Sequence, residues 1–468
     1  MIHCYKLNGY NIIIDGNSGS IHSVDELAYD IISMYESNSK DEITKQMLSK
    51  HKDKAEITKA EINEVFEDIE QLKAEKKLFS QDIYASAADT LKKRLSVLKA
   101  ICLHVAHDCN LACKYCFGGK GEYYGERSLM SFEVGKAAFD YLVKNSGRIR
   151  NLEVDFFGGE PLMNFDVVKK LVAYGRELEK LHNKVFHFTI TTNGVLLNDD
   201  VMEYCNREMG NIVLSLDGRK EVHDRLRVTR SGHGSYDLIL PKFKKMVEMR
   251  GEKSHYIRGT YTHYNTDFSN DIIHMADLGF KELSMEPVVA PPDEPYALKE
   301  EDVPMLCEQY EILAKEMLKR RREGRKFSFY HYTINLEKGP CIVKRISGCG
   351  VGTEYLAVTP NGDLYPCHQF VGDEKFLLGN VYEGITNTAV RDNFKNCNVY
   401  AKEECTNCFA KLYCGGGCAA NSYHSTGDIN GTYKIGCELH KKRIECAVML
   451  KVAEAFSDIK NKNNPADI

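Results

Sequence analysis

The chain has 468 residues, with 62 Lys and Arg against 67 Asp and Glu and a formal net charge of −5. That length exceeds one ordinary core and predicts about three domains; the 43% hydrophobic and 28% charged fractions are those of a globular chain. The acidic balance excludes a general nucleic-acid binder, which presents a basic surface, and no apolar run reaches membrane length. The opening Met1-Ile2-His3-Cys4-Tyr5-Lys6 has no basic segment leading into an apolar one, so the expected location is the cytoplasm. Seventeen cysteines in such a chain predict metal ligation rather than cross-links.

Residues 1–90 read as a small module. Strand-like runs at 2–6, 11–14 and 20–23 are separated by the turn sequences Asn8-Gly9 and Gly16-Asn17-Ser18-Gly19. Helical patterns follow at 24–35, 42–51 and 59–76, the last with Ile62, Val65, Ile69 and Leu72 on one face. Strands followed by helices predict a winged-helix-like unit. Such units bind either an extended peptide along a sheet edge or nucleic acid. With no basic recognition helix, peptide is the favoured partner.

Residues 95–315 alternate between strand-like and helix-like stretches. Strands are predicted at 101–105, 152–157, 185–191, 212–216, 256–262 and 282–285, with helices at 131–143, 166–181, 199–205, 236–250 and 267–278. Six β–α units in series predict a parallel sheet with helices outside, an α/β fold. The first strand is followed by Cys109, Cys113 and Cys116, spaced C-x3-C-x2-C. Thiolates select soft metals, and three of them leave one iron of a [4Fe–4S] cluster open to a small molecule; a zinc site is the alternative. Later strands lead into Phe157-Gly158-Gly159-Glu160, Thr191-Thr192-Asn193-Gly194 and Ser215-Leu216-Asp217-Gly218. Arg227 is a candidate carboxylate partner, because guanidinium is a two-toothed donor.

A helical pattern from 303 ends in Lys319-Arg320-Arg321-Arg322, with Arg325-Lys326 beyond. Cations there suit the helix dipole, and contact with an acidic peptide or redox partner is the other reading. Residues 325–450 carry a second cysteine set: Cys349 and Cys367 in the form C-x12-G-x4-C around Gly362, then Cys405, Cys408, Cys414 and Cys418, and finally Cys437. A zinc-stapled lobe is again the alternative. Cys4, Cys102, Cys205, Cys307, Cys397 and Cys446 read as core or incidental residues. Residues 451–468 read as a tail, frayed from about Ala453 onward.

The first cysteine motif, with Tyr115 just before its last member, resembles the radical S-adenosylmethionine (SAM) enzymes, and the second set resembles the SPASM domain of peptide-modifying members. The first resemblance implies a partial (β/α)6 barrel with chemistry at the strand C-termini. It also implies cofactor contacts from Tyr115, Gly158, Gly159, Glu160, Thr191, Asn193, Ser215, Asp217 and Arg227, the glycines letting the backbone approach the methionine amino group. The second implies an outer auxiliary cluster on Cys405, Cys408, Cys414 and Cys437 and an inner one on Cys349, Cys367 and Cys418. The fourth inner position falls to Cys341 or is left open for a substrate thiol. Three [4Fe–4S] clusters and S-adenosylmethionine are therefore the expected cofactors, in an oxygen-poor setting.

Residues 1–90 resemble the leader-peptide recognition elements fused to such enzymes. The whole pattern, most specifically Lys6-Leu7-Asn8-Gly9-Tyr10-Asn11-Ile12-Ile13-Ile14-Asp15, resembles the maturases of cysteine-rich SCIFF peptides. That family implies removal of a peptide α-hydrogen by a 5′-deoxyadenosyl radical and closure of a thioether (sactionine) between a cysteine sulfur and that carbon. The implied partners are a cysteine-rich precursor peptide and an electron donor such as a flavodoxin or ferredoxin. The alternatives are another SPASM maturase, such as a formylglycine-generating sulfatase type, and a non-catalytic iron–sulfur or zinc protein.

Overall fold

The computed structural model describes residues 1–50, 57–86, 88, 96–336 and 342–463, residues 458–463 by backbone alone. The opening segment is an antiparallel sheet of β1 (Ile2–Leu7), β2 (Tyr10–Asp15) and β3 (Ile21–Val24). Asn8 and Gly9 both adopt positive φ, 51° and 81°, the geometry that a two-residue hairpin turn demands. Helices Glu26–Met34, Lys40–Lys50 and Lys59–Ala74 follow, the last opened by a capping box between Thr58 and Glu61. Period-two alternation gives the sheet two apolar faces. Ile13 packs with Ile31, Ile43 and Ile62 of these helices, whereas Tyr5, Leu7, Ile12 and Ile14 belong to the main core. The module is therefore built into the rest of the molecule.

The barrel strands are β4 (Ala100–His107), β6 (Asn151–Gly158), β7 (Val185–Thr192), β8 (Asn211–Ser215), β9 (His255–Tyr261) and β10 (Glu282–Pro287), with the short β5 (Ser128–Leu129) antiparallel to β4. They pair in parallel and in chain order. Helices Phe132–Asn145, Phe165–His182, Asp199–Glu208, Tyr236–Arg250 and Phe268–Asp277 cross between them. A further short helix, Lys220–Leu226, was not among the predicted elements.

The sheet runs on at both sides. β11 (Ser328–Phe329) adds to β10, and β12 (Tyr355–Val358) lies parallel to β4. From β12 the antiparallel β13 (Asp363–Tyr365), β14 (Gly379–Asn380) and β15 (Gly384–Ile385) continue into the cysteine-rich lobe. The lobe thus grows from the first barrel strand.

The C-terminal segment departs from the sequence expectation. Residues 451–463 continue the helix Lys434–Asn463 instead of fraying. Val452 and Ala453 are buried, Glu454 pairs with Arg321 and Lys451, and Phe456 meets the Tyr10 ring. Partners far away in sequence stabilise turns whose own composition is polar. The basic run is largely paired as well: Arg320 is buried between Asp277 and Glu316, and Lys319 and Arg325 reach Glu316 and Glu323. Among the described residues no helix is long and apolar enough to cross a membrane.

Candidate functional site

β4 ends at His107, and the next residues form the three-cysteine loop over the C-terminal end of the barrel. A cavity there gathers Cys109, Cys113, Cys116, Tyr115, Gly158, Gly159, Glu160, Thr191, Asn193, Ser215 and Arg227. Arg230 clamps the loop from outside, its Nε donating to the Cys109 carbonyl at 2.6 Å. Asp217 is not on the cavity wall. Its buried carboxylate accepts from the Tyr115 hydroxyl at 2.6 Å and the Thr260 amide at 3.0 Å, while Arg227 donates to Tyr115 at 2.7 Å. Asp217 therefore supports Tyr115 and Arg227 from behind, and a ribose contact from its carboxylate does not fit this arrangement. The Arg227 Nε is buried without a partner, a donor open to an incoming anion.

The glycines have a reason that the sequence did not reveal. A Cβ on Gly158, at φ 120°, would lie 2.2 Å from the Ala106 carbonyl oxygen, and one on Gly159 would lie 2.2 Å from that of Asp108. Their absent side chains let β6 press against the cysteine loop. Glu160, 1% exposed, accepts from the Thr192 hydroxyl and the Asn193 amide, both at 2.8 Å, and from the Leu162 amide at 3.1 Å. Burial raises its carboxyl to about 7 against those three bonds. It orients Asn193, whose Nδ2 lies 3.6 Å from Cys109 Sγ and 2.8 Å from the Asn110 side chain. Asn193 thus faces the cysteine loop.

Burial pushes the Cys109 thiol up to about 12 and the Cys113 thiol up to about 11, and the neighbouring thiols add to the shift. Downstream, the thiols separate into two groups by mutual influence. Cys367 is raised by burial and then by Cys418 and Cys349. Cys405, pushed by burial to about 12, feels Cys414, Cys437 and Cys408, and Cys414, at about 11, feels Cys437 and Cys408. Cys341 lies outside the described residues. Among the described residues no three His, Cys, Asp or Glu side chains close around a point as a single ion requires.

Sequence reasoning did not find several residues. Buried Lys402 is one of the charges that act on the Cys405 and Cys437 thiols, and its ammonium is fixed by Ser422 and the Gly431 carbonyl, both at 3.0 Å. Phe117, next to Cys116, and His368, next to Cys367, bring their rings to 5.5 Å, so the first and inner cysteine loops face each other. Arg258, Thr260, Glu286 and Gln369 also line the cavity. None belongs to a recognisable motif; strand pairing turns Arg258, Thr260 and Glu286 inward, and Gln369 lies in the turn His368–Phe370 after Cys367.

Residues 103–278 match the Radical SAM superfamily, and residues 349–409 match SPASM, an iron–sulfur cluster-binding domain. Among curated proteins, a cysteine-type anaerobic sulfatase-maturating enzyme of Clostridium novyi is 27% identical over 363 residues, 72% of this chain and 92% of that protein. The radical SAM cyclopropyl synthase TigE of Paramaledivibacter caminithermalis is 23% identical over 367 residues, 74% of this chain and 72% of that one. Among solved structures, native anSMEcpe with bound AdoMet matches with a TM-score of 0.63 and 21% identity, over 76% of this chain and 98% of that one. Streptococcus suis SuiB bound to precursor peptide SuiA matches with a TM-score of 0.53 and 17% identity, over 93% of this chain and 98% of that one. At these identities the structures speak for the fold, a radical SAM partial barrel with a C-terminal SPASM domain. Such domains carry [4Fe–4S] clusters and S-adenosylmethionine, and the residues around the cavity fit both.

Proposed function

As a chain that joins a radical SAM domain to an SPASM iron–sulfur domain, the protein is, we propose, a peptide maturase that closes a thioether between a cysteine sulfur and the α-carbon of another residue in a cysteine-rich precursor. The observation that carries this reading is the facing of the two cysteine loops across Phe117 and His368. A peptide lying in the cavity would have the first thiol set on one side and the inner set on the other. Cys109, Cys113 and Cys116 would hold the first cluster. Cys349, Cys367 and Cys418 would hold the inner auxiliary cluster, and Cys405, Cys408, Cys414 and Cys437 the outer one. When bound, the first cluster and S-adenosylmethionine supply a carbon radical able to take an α-hydrogen. Arg227, with its unpartnered Nε, would receive the cofactor carboxylate. Asn193 and Glu160 would hold the cysteine loop in register. The sheet of residues 2–24 would take the precursor's leader along its edge, and a reduced flavodoxin or ferredoxin would supply the electron.

A second reading, formylglycine formation, is favoured by the relationship to the Clostridium novyi sulfatase-maturating enzyme. The product separates the two. Anaerobic enzyme incubated with a six-cysteine SCIFF-type precursor should yield peptide lighter by two hydrogens per ring and poorer by one free thiol. Deuterium at the acceptor α-carbon should pass into 5′-deoxyadenosine. An aldehyde in the product, trapped by a hydrazine, would overturn the thioether reading in favour of formylglycine.

A further inference from the structure

In β9, Ile257 and Tyr261 point outward into the core, so Tyr256, Arg258 and Thr260 point into the barrel. Strand pairing sets Arg258 beside Ser215 on one side and Ser284 on the other. Its side chain is exposed to the same cavity that holds the three cysteines. Among the described residues its guanidinium has no hydrogen-bond or ion-pair partner. The other two arginines facing this region are engaged: Arg227 donates to Tyr115, and Arg443 reaches Glu286 at 3.4 Å.

Among the described residues no acid pairs with Arg258; Glu286, on the same cavity wall, is taken by Arg443. Asp155, in β6, forms no ion pair with Arg258, and withdrawal from water raises its carboxyl to about 7 although Arg258 pulls the other way. His331 and His368 are held neutral by burial, with Arg258 contributing to both. A fixed cation in a concave wall focuses potential and draws in an anion, and guanidinium presents a fork of donors to it. S-adenosylmethionine is a poor candidate, because its sulfonium would be repelled and its one carboxylate suits Arg227.

We propose that Arg258 anchors an anionic group of the substrate peptide, a side-chain carboxylate or a cysteine thiolate, and so sets which residue of the peptide lies at the reacting position. This inference rests on the peptide-maturase reading above. The test uses reconstituted full-length enzyme and the six-cysteine SCIFF-type precursor. Arg258→Gln should raise the KM for peptide about 10- to 100-fold, the span of a lost charge-assisted hydrogen bond, with Arg258→Lys in between and the Kd for S-adenosylmethionine moved less than about twofold. Phenylglyoxal should label Arg258 ahead of the engaged Arg227 and Arg443, and peptide should protect it. Loss of the Arg258→Gln effect in peptides with acidic residues amidated identifies a carboxylate; loss in cysteine-to-serine peptides identifies a thiolate. Wild-type and Arg258→Gln enzymes that modify the peptide with equal KM, or protection of Arg258 by S-adenosylmethionine instead of peptide, would overturn the inference. Wild-type enzyme that leaves the peptide unmodified, while phenylglyoxal still maps Arg258 as the open arginine without peptide protection, would count against the maturase reading itself.

Discussion

Gly158 and Glu160 stand two residues apart in one short motif, yet the structure uses them toward the protein rather than outward. Gly158 opens room for the Ala106 carbonyl, and Glu160 gives both carboxylate oxygens to donors of its own chain. Their place near the site was legible, because Gly-Gly-Glu follows a predicted strand; their task was not, because it depends on which backbone lies opposite. Gly158→Ala combines a steric clash with an unfavourable positive φ, a strain of about 1–3 kcal/mol before any relaxation. The clash falls on Ala106, next to the last residue of β4, so the displacement should pass into the cysteine loop that follows. Reconstituted Gly158→Ala is expected to lose the first cluster and keep the others, iron falling from about twelve to about eight per chain, with the secondary structure unchanged by circular dichroism. Full iron with normal S-adenosylmethionine cleavage would show that the loop tolerates the shift.

At the scale of elements, the opening sheet is tied to the loop that carries the outer thiols. His3 stacks on Phe409 at 3.6 Å, Tyr413 donates to the Gly19 carbonyl at 2.8 Å, and buried Lys411 pairs with Asp82 at 2.6 Å. Phe409, Lys411 and Tyr413 all lie between Cys408 and Cys414. Deleting residues 1–90 would therefore uncover apolar surface on the helix Lys434–Asn463 and strip partners from the outer loop. A truncated enzyme should aggregate or lose outer-cluster iron, so it cannot report on leader binding alone. Lys411→Met leaves Asp82 without its cation and should cost on the order of 3 kcal/mol, read as a lower denaturation midpoint. Asp82→Asn combined with Lys411→Met should recover part of that loss, and strict additivity would show that the pair is not coupled. The carboxylate of Asp82 is held low by Lys411 and Tyr400 against its partial burial. Its stabilising contribution is thus complete above the ordinary carboxylate range and fades as pH falls below it.

For the whole molecule, the proposed assignment of three cysteine groups to three clusters makes assembly a proton-linked event. Cys109, Cys113, Cys405 and Cys414 are held protonated at neutral pH by burial and by one another, at about 11 to 12. Ligation needs thiolates, so iron binding must expel those protons and is favoured as pH rises. Anaerobic reconstitution should give about twelve irons per chain, with a yield that climbs as pH rises from neutrality toward the range of these thiols, about 11 to 12. Replacing Cys109, Cys113 and Cys116 by Ala should remove about four of them and abolish S-adenosylmethionine cleavage. Stoichiometric zinc without iron in protein purified without oxygen would contradict the assignment.

The amino-acid sequence by itself determined whatever depends on neighbours along the chain. The C-x3-C-x2-C spacing confines three thiols to one loop, apolar periodicity specifies six strands and their helices, and Asn8-Gly9 dictates a tight hairpin. Tertiary structure alone decided what long-range pairing brings together: β12 beside β4, Glu445 of the last helix against His3, Arg443 on Glu286, and Arg258 turned inward between Ser215 and Ser284. His3 and Glu445 are 442 positions apart. No local propensity encodes such a contact; it arises because burying the apolar faces of the opening sheet and the closing helix against each other leaves those two side chains side by side.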